Sequence, residues 1–148
     1  MSLIPSSPVQ NFVPHRLAGI RNRAASGMRK QTEPSRLKKK FWPEEDRLLW
    51  DQCALQSTAM DIIHAEQAYG RWLTFLYFHQ SSALEMSATA RITHDHVNAY
   101  VAYLGAFKKN ADTIQDRLRG LMKAAWILAP KQSWWFIYMI AVRLRRSH

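Results

Sequence analysis

The stretch NADTIQDRLRGLMKAAWILAP, from Asn110 to Pro130, carries the clearest helical pattern in the 148-residue chain. Ile114, Leu118, Leu121, Ala125 and Leu128 recur at intervals of four, three, four and three. That spacing lines one side of an α-helix with apolar groups. Asn110 or Asp112 can open the helix, and Pro130 ends it because the residue before a proline is pushed out of helical geometry. The other side carries Arg117, Arg119 and Lys123. A long amphipathic helix of this kind needs neighbours to cover its stripe.

Those neighbours are legible on both sides. Thr93 can cap a preceding helix, with Asp95 in its first turn and Val97, Tyr100, Val101 and Leu104 on its inner face. Lys108 and Lys109 complement its C-terminal dipole. Residues 80–92 alternate small polar groups and read as a loop. Before them, Ala59 to His79 reads as a long helix, with Ile62, Tyr69, Leu73 and Leu76 widened by Ala65, Trp72 and Phe75. Gly70 inside it costs up to about 1 kcal/mol against Ala, which the near approach of another helix would explain. A first helix starts at Pro43, where Glu44, Glu45 and Asp46 suit the positive dipole end. Leu48, Gln52 and Leu55 share one face of it, and Ser57 and Thr58 break it. Ser133 can cap a last segment to about Arg146, apolar on nearly every side as far as Val142, so part of it must meet another surface. The prediction is an all-α bundle of four to five helices, with no strand and no internal repeat.

Residues 1–41 are expected to be a disordered basic tail, and residues 42–148 the helical domain. The tail holds Pro8, Pro14, Pro34, Gly19 and Gly27 and no sustained apolar face. Arg16 to Ala25 is a candidate for a short helix formed on binding. Residues 1–40 contain nine Lys/Arg against the single acid Glu33, whereas residues 41–66 contain six acids against Arg47. Residues 67–148 return to eleven bases against four acids. Positive fields of this kind favour a polyanion, either nucleic acid or an anionic membrane surface, with a merely solubilising surface as the plainer alternative. An Arg- and Ser-containing leader for an organelle fits the same composition; a secretory signal does not. One cysteine, Cys53, forms no internal disulfide and suits a reducing compartment. No apolar run approaches the roughly 20 residues that span a bilayer.

Chemistry is sparse. The sequence has no Gly-rich phosphate loop, no cysteine pair and no metal-ligand spacing, so neither cofactor nor metal is expected. His94 and His96 lie two apart at a helix start and point to different faces. His64 and His79 read as ordinary helix residues, and Cys53 as a structural thiol without an adjacent base. The segment WPEEDRLLW, residues 42–50, matches the opening of a Myb-type DNA-binding repeat, but the next Trp is Trp72, inside a long helix. The regular aromatic spacing of such repeats is missing.

Several ordered fragments carry a more extensive likeness. They are AYGRWLTFL at 68–76, ARITHDHVNAYVAYL at 90–104, TIQDRLRGL at 113–121 and AAWILAP at 124–130, followed by Trp134. Their order and spacing, with the lead-in at 42–50, resemble the core-binding domain of tyrosine recombinases, the phage-integrase family, over roughly Phe41 to Arg146. The resemblance implies a small orthogonal, SAM-like helical bundle that grips one face of duplex DNA. It implies contacts from Arg91 and Thr93 at a helix start and from Arg117, Arg119 and Lys123 on the polar side of the long helix. Arg117 and Lys123 stand about 9 Å apart along the axis. Lys108, Lys109 and Lys131 are further candidates. Each has a plainer role as a solvated charge or a cap. Tyr69, Trp72, Leu73, Tyr100, Leu104, Leu118, Leu121 and Trp126 are read as core.

The cleaving residues of that family belong to a second domain, so no Tyr here is given the nucleophile's role and no enzyme activity is expected. The implied partners are double-stranded DNA and a full-length recombinase or a separate catalytic domain, in a bacterial cytoplasm at the nucleoid, without a membrane. Two alternatives stay open: a protein-interaction module that modulates a recombinase, and one part of a split recombinase gene.

Overall fold

The computed structural model describes residues 32–57 and 59–147, with the backbone alone for 59–61 and 145–147. The expectations for residues 1–31, disorder and a binding-induced helix, and the part of Thr58 in the break lie outside the described residues. Among the described residues there are five α-helices and no strand: α1 (Glu44–Ala54), α2 (Ala59–His79), α3 (His94–Ala106), α4 (Ala111–Leu128) and α5 (Trp135–Ser147). Short 3-10 turns stand at Lys39–Phe41 and Ser81–Glu85. The all-α expectation is met.

The long amphipathic helix is the centre of the bundle. α4 packs chiefly against α2 and α5, and less against α1. Asn110 caps it by accepting from the Thr113 amide at 2.8 Å. Every residue of its predicted stripe is buried. Gln115 joins that buried side and donates from its side-chain amide to the Ala141 carbonyl of α5 at 3.1 Å. Gly120 sets the approach to α2, because a Cβ built there would stand 2.6 Å from the Ala68 Cβ.

α1 turns away from Leu48 and Leu55. Leu48 is 54% exposed and Leu55 86%, whereas Asp46 and Trp50, one turn apart, turn inward. Trp50 packs in an aromatic cluster with Trp42 and Tyr69, at centroid distances of 5.7 and 6.2 Å. A Trp buries more surface than a Leu, so the cluster decides the facing of a short helix. Trp126, expected in the core, is only half-buried.

The expected boundary at residue 41 moves. Residues 33–41 form an arm laid along α2. Leu37 is 3% exposed, its amide donates to the Gly70 carbonyl at 3.2 Å, and its carbonyl accepts from Trp42 Nε1 at 2.9 Å. Thr74 Oγ1 donates to the Ser35 carbonyl at 3.1 Å. This explains Gly70: a Cβ there would stand 2.3 Å from the Leu37 carbonyl oxygen. The close neighbour is a backbone arm, not another helix.

At the far end, α5 starts at Trp135, beyond the cap position expected of Ser133. Ile137, Ile140 and Ala141 meet the core, while Trp135, Tyr138 and Met139 remain 57, 45 and 48% exposed. The surplus apolar face foreseen for this segment is therefore present.

Candidate nucleic-acid interface

The polar residues named from the sequence do not form one surface. Arg91 leaves the set altogether. It is 2% exposed, and all of its N–H groups are spent inside the protein. Nη1 and Nη2 donate to the two Asp46 oxygens at 2.6 and 3.0 Å, and Nη2 also reaches the Leu84 carbonyl. Nε donates to the Ala83 and Met86 carbonyls at 3.0 and 3.1 Å. Tyr69 Oη donates to Asp46 at 2.6 Å and closes the network. Burial pushes the Tyr69 hydroxyl well above its ordinary range, and the Asp46 charge pushes the same way. Burial alone would depress the Arg91 guanidinium, but the facing Tyr69 and Asp46 oxygens raise it instead. Arg91 is a clamp between α1, α2 and the loop before α3, and it has no donor left for a phosphate.

Thr93 is likewise a cap. Its Oγ1 accepts from the His96 amide at 3.1 Å, and His96 Nδ1 stands 2.7 Å from the Arg91 carbonyl. His94 is exposed and stacks on Phe136 at 5.5 Å. On α4, Arg117 and Arg119 point about 200° apart around the axis, so the expected row does not exist. Arg119 is exposed, Lys123 is half-buried, and Lys131 is exposed in the turn after α4. Lys108 is exposed at the end of α3.

A different cluster forms where the arm crosses the bundle. Glu33 Oε2 accepts from Arg117 Nη1 at 2.7 Å, and Lys109 Nζ lies 3.4 Å from Oε1. The side chains are 10% exposed for Glu33, 13% for Arg117 and 29% for Lys109. Arg71 of α2 is half-buried here; burial and then the Arg117 charge lower its pKa, with Arg36 of the arm adding to the effect. Burial would lower Arg117 as well, but its hydrogen bond to Glu33 holds it high. The hydroxyls of Tyr100 and Tyr103 are buried beside these charges and make no hydrogen bond of good geometry. Burial raises the pKa of both, so both remain neutral donors. Lys109 and Arg117 thus hold one carboxylate, with Arg71 near enough to feel its charge and Arg36 near Arg71.

Sequence reasoning named Arg117 and Lys109 and missed Arg36, Arg71, Glu33 and the two tyrosine hydroxyls. One signal was available: Glu33 is the only acid among the first forty residues. Elsewhere, an open cleft of about 580 Å³ lies between α1 and α4, lined by Leu49, Gln52, Cys53, Gln56, Trp126 and Ile127. Cys53 Sγ lies 3.9 Å from the Leu128 carbonyl, and no charged group lines the cleft.

Among the described residues, no three His, Cys, Asp or Glu side chains could hold a metal ion, and no helix is long and apolar enough to cross a membrane. Comparison of the chain with protein-family models, with curated proteins and with solved structures finds no match.

Proposed function

We propose that the chain binds double-stranded DNA through its phosphate backbone and does not cut it, in the manner of a recombinase core-binding domain. The observation that carries this reading is the gathering of Lys109, Arg117 and Arg71 around the acid Glu33, with Arg36 near Arg71 and Lys108 next in sequence to Lys109. Cations gathered at that density repel one another unless a polyanion answers them. The ordered fragments between 68 and 130 support the recombinase context, and with it a place at the bacterial nucleoid. The contact set is now Arg36, Arg71, Lys108, Lys109 and Arg117. Arg119, Lys123 and Lys131 belong to other sides of the bundle, and Arg91 and Thr93 are structural.

Titration of duplex DNA at several salt concentrations tests the reading. Each phosphate neutralised contributes about −0.9 to the slope of log affinity against log salt, so three or four contacts give about −3. No binding at 50 mM salt, or a flat response, would refute it. A chain lacking residues 1–31 should keep most of that slope. Cutting after residue 40 would instead remove Glu33 and Leu37 and damage the fold being tested.

A second reading rests on α5. Trp126 lines the cleft and meets Trp135 edge-on at 4.9 Å, and Trp135 continues to Tyr138 at 5.8 Å, so the cleft and the outer face of α5 join as one apolar surface. A protein partner, a recombinase subunit among them, would bury it. Trp135→Ser with Tyr138→Ser should abolish capture of such a partner and leave DNA affinity unchanged.

A further inference from the structure

We propose that the cluster at Arg117 is a built site for one phosphate group, and that Glu33 of the arm is its internal occupant. The site has more donors than its occupant uses. Arg117 gives Glu33 one N–H at 2.7 Å, and Lys109 stands off at 3.4 Å. Beside them the Tyr100 hydroxyl, on a residue 1% exposed, faces the Arg117 guanidinium, itself a donor, and the Tyr103 hydroxyl lies on a residue 7% exposed; the proton of neither meets an acceptor. A buried donor left without an acceptor costs about 1–3 kcal/mol, so two side by side are unusual in a site meant only for a carboxylate. A carboxylate offers two oxygens in a plane. A phosphate offers more acceptor oxygens, arranged in three dimensions, and can meet guanidinium, ammonium and hydroxyl donors together.

Glu33 is also placed to leave. It sits on an arm with no regular structure from residue 32 to 38, upstream of the Leu37 anchor. Among the described residues, hydrogen bonds from Thr74 Oγ1 to the Ser35 carbonyl and from the Leu37 amide to the Gly70 carbonyl tie the arm to α2. Release of Glu33 therefore leaves the Leu37 side chain seated and the bundle intact. The arm acts as an acid latch: a phosphate takes the donors, and the displaced carboxylate moves into solvent. For the macromolecule that bears the phosphate, this rests on the DNA reading; the anion site itself does not.

The test compares wild type with Glu33→Gln, which keeps the shape and removes the charge. Two probes are used, inorganic phosphate and duplex DNA. Thermal unfolding of Glu33→Gln should rise by about 5 °C in 10 mM phosphate over chloride at equal ionic strength, while wild type moves by less than about 1 °C. Duplex DNA should bind Glu33→Gln roughly five- to tenfold more tightly than wild type, with a salt slope steeper by about 0.9, the value of one further phosphate. The site is overturned if Glu33→Gln gains neither phosphate stabilisation nor DNA affinity. If phosphate stabilises the variant and neither protein binds DNA, the anion site stands and the DNA reading falls. If wild type binds DNA and the variant binds no better, with no phosphate effect, the DNA reading stands and the latch falls. Should Glu33→Gln not fold, amide exchange of wild type answers the question. Saturating duplex should speed exchange of the Leu37 amide, whose hydrogen bond to Gly70 holds the arm next to Glu33, and unchanged exchange there would overturn the latch.

Discussion

Two carboxylate–guanidinium pairs hold this bundle, and they differ in how completely they are closed. Asp46 and Arg91 meet through two hydrogen bonds, and the remaining donors of Arg91 are absorbed by three backbone carbonyls. Glu33 and Arg117 meet through one, with a lysine at 3.4 Å, like charges close by and two tyrosine hydroxyls whose protons meet no acceptor. A buried pair that is fully satisfied has nothing left to offer a ligand. A pair with surplus donors on one side only is asymmetric, and the asymmetry has the sign of an anion site. Closure thus marks Arg91 as structural and leaves Arg117 on the donor-rich side of an incompletely matched pair.

The largest effect should come from opening the closed pair. Arg91→Met leaves Asp46 buried without its counter-charge and should cost about 3–5 kcal/mol. Urea unfolding would read it as a marked fall in midpoint. Arg91→Lys should fail to restore stability, since one ammonium cannot replace a fork that serves a carboxylate and three carbonyls. Arg117→Gln should cost less, about 1–2 kcal/mol, because Lys109 still faces Glu33 and the arm can carry the carboxylate into solvent. Equal losses at the two positions would remove the distinction, and an unchanged midpoint for Arg91→Met would return Arg91 to the surface.

The same contrast explains what the sequence could disclose. Periodicity located five helices, and Thr93 and Asn110 announced their caps, because these depend on residues three or four apart. The clamp joins positions 46 and 91 and the charge cluster joins 33 with 117, distances at which no local pattern operates. An Arg beside a helix start reads as a phosphate contact until its acid is found. Asp46 in turn read as a simple dipole partner, because its helical position accounted for it. α1 shows the converse: the periodic leucines were visible, but Trp42 and Tyr69 from outside the helix settled which side faced in.

The glycines sharpen the comparison at an intermediate scale. At Gly120 a methyl would press on Ala68 across two helices fixed by the rest of the core, and Gly120→Ala should cost about 1–3 kcal/mol despite its better helix propensity. At Gly70 the obstacle is the Leu37 carbonyl of an arm without regular structure. Gly70→Ala should lift the arm instead of parting helices. Trypsin should then cut at Arg36 and Lys38 several-fold faster than in wild type, with α2 intact by circular dichroism. A Gly70→Ala protein whose arm stays protected would place the arm among the fixed elements and weaken the case for a latch.

The smallest effect concerns Lys108, at the rim of the open cluster. α3 ends with the Lys109 amide donating to the Leu104 carbonyl and the Lys108 amide donating to the Gly105 carbonyl, at 3.3 and 2.9 Å. Lys108 takes the left-handed position between them, with φ 65°. Glycine normally fills that place, because a Cβ there crowds the following carbonyl. Lys108→Gly should therefore stabilise the fold by about 0.5–1 kcal/mol, after the greater freedom of the unfolded glycine is allowed for. If the lysine serves only the helix end, DNA affinity will not change. If it extends the phosphate-facing cluster, the same variant should bind duplex more weakly and lose about 0.9 of the salt slope while it melts higher. Stability and affinity moving in opposite directions would show that a strained backbone is kept here for the charge it carries, which the closed pair at Arg91 never requires.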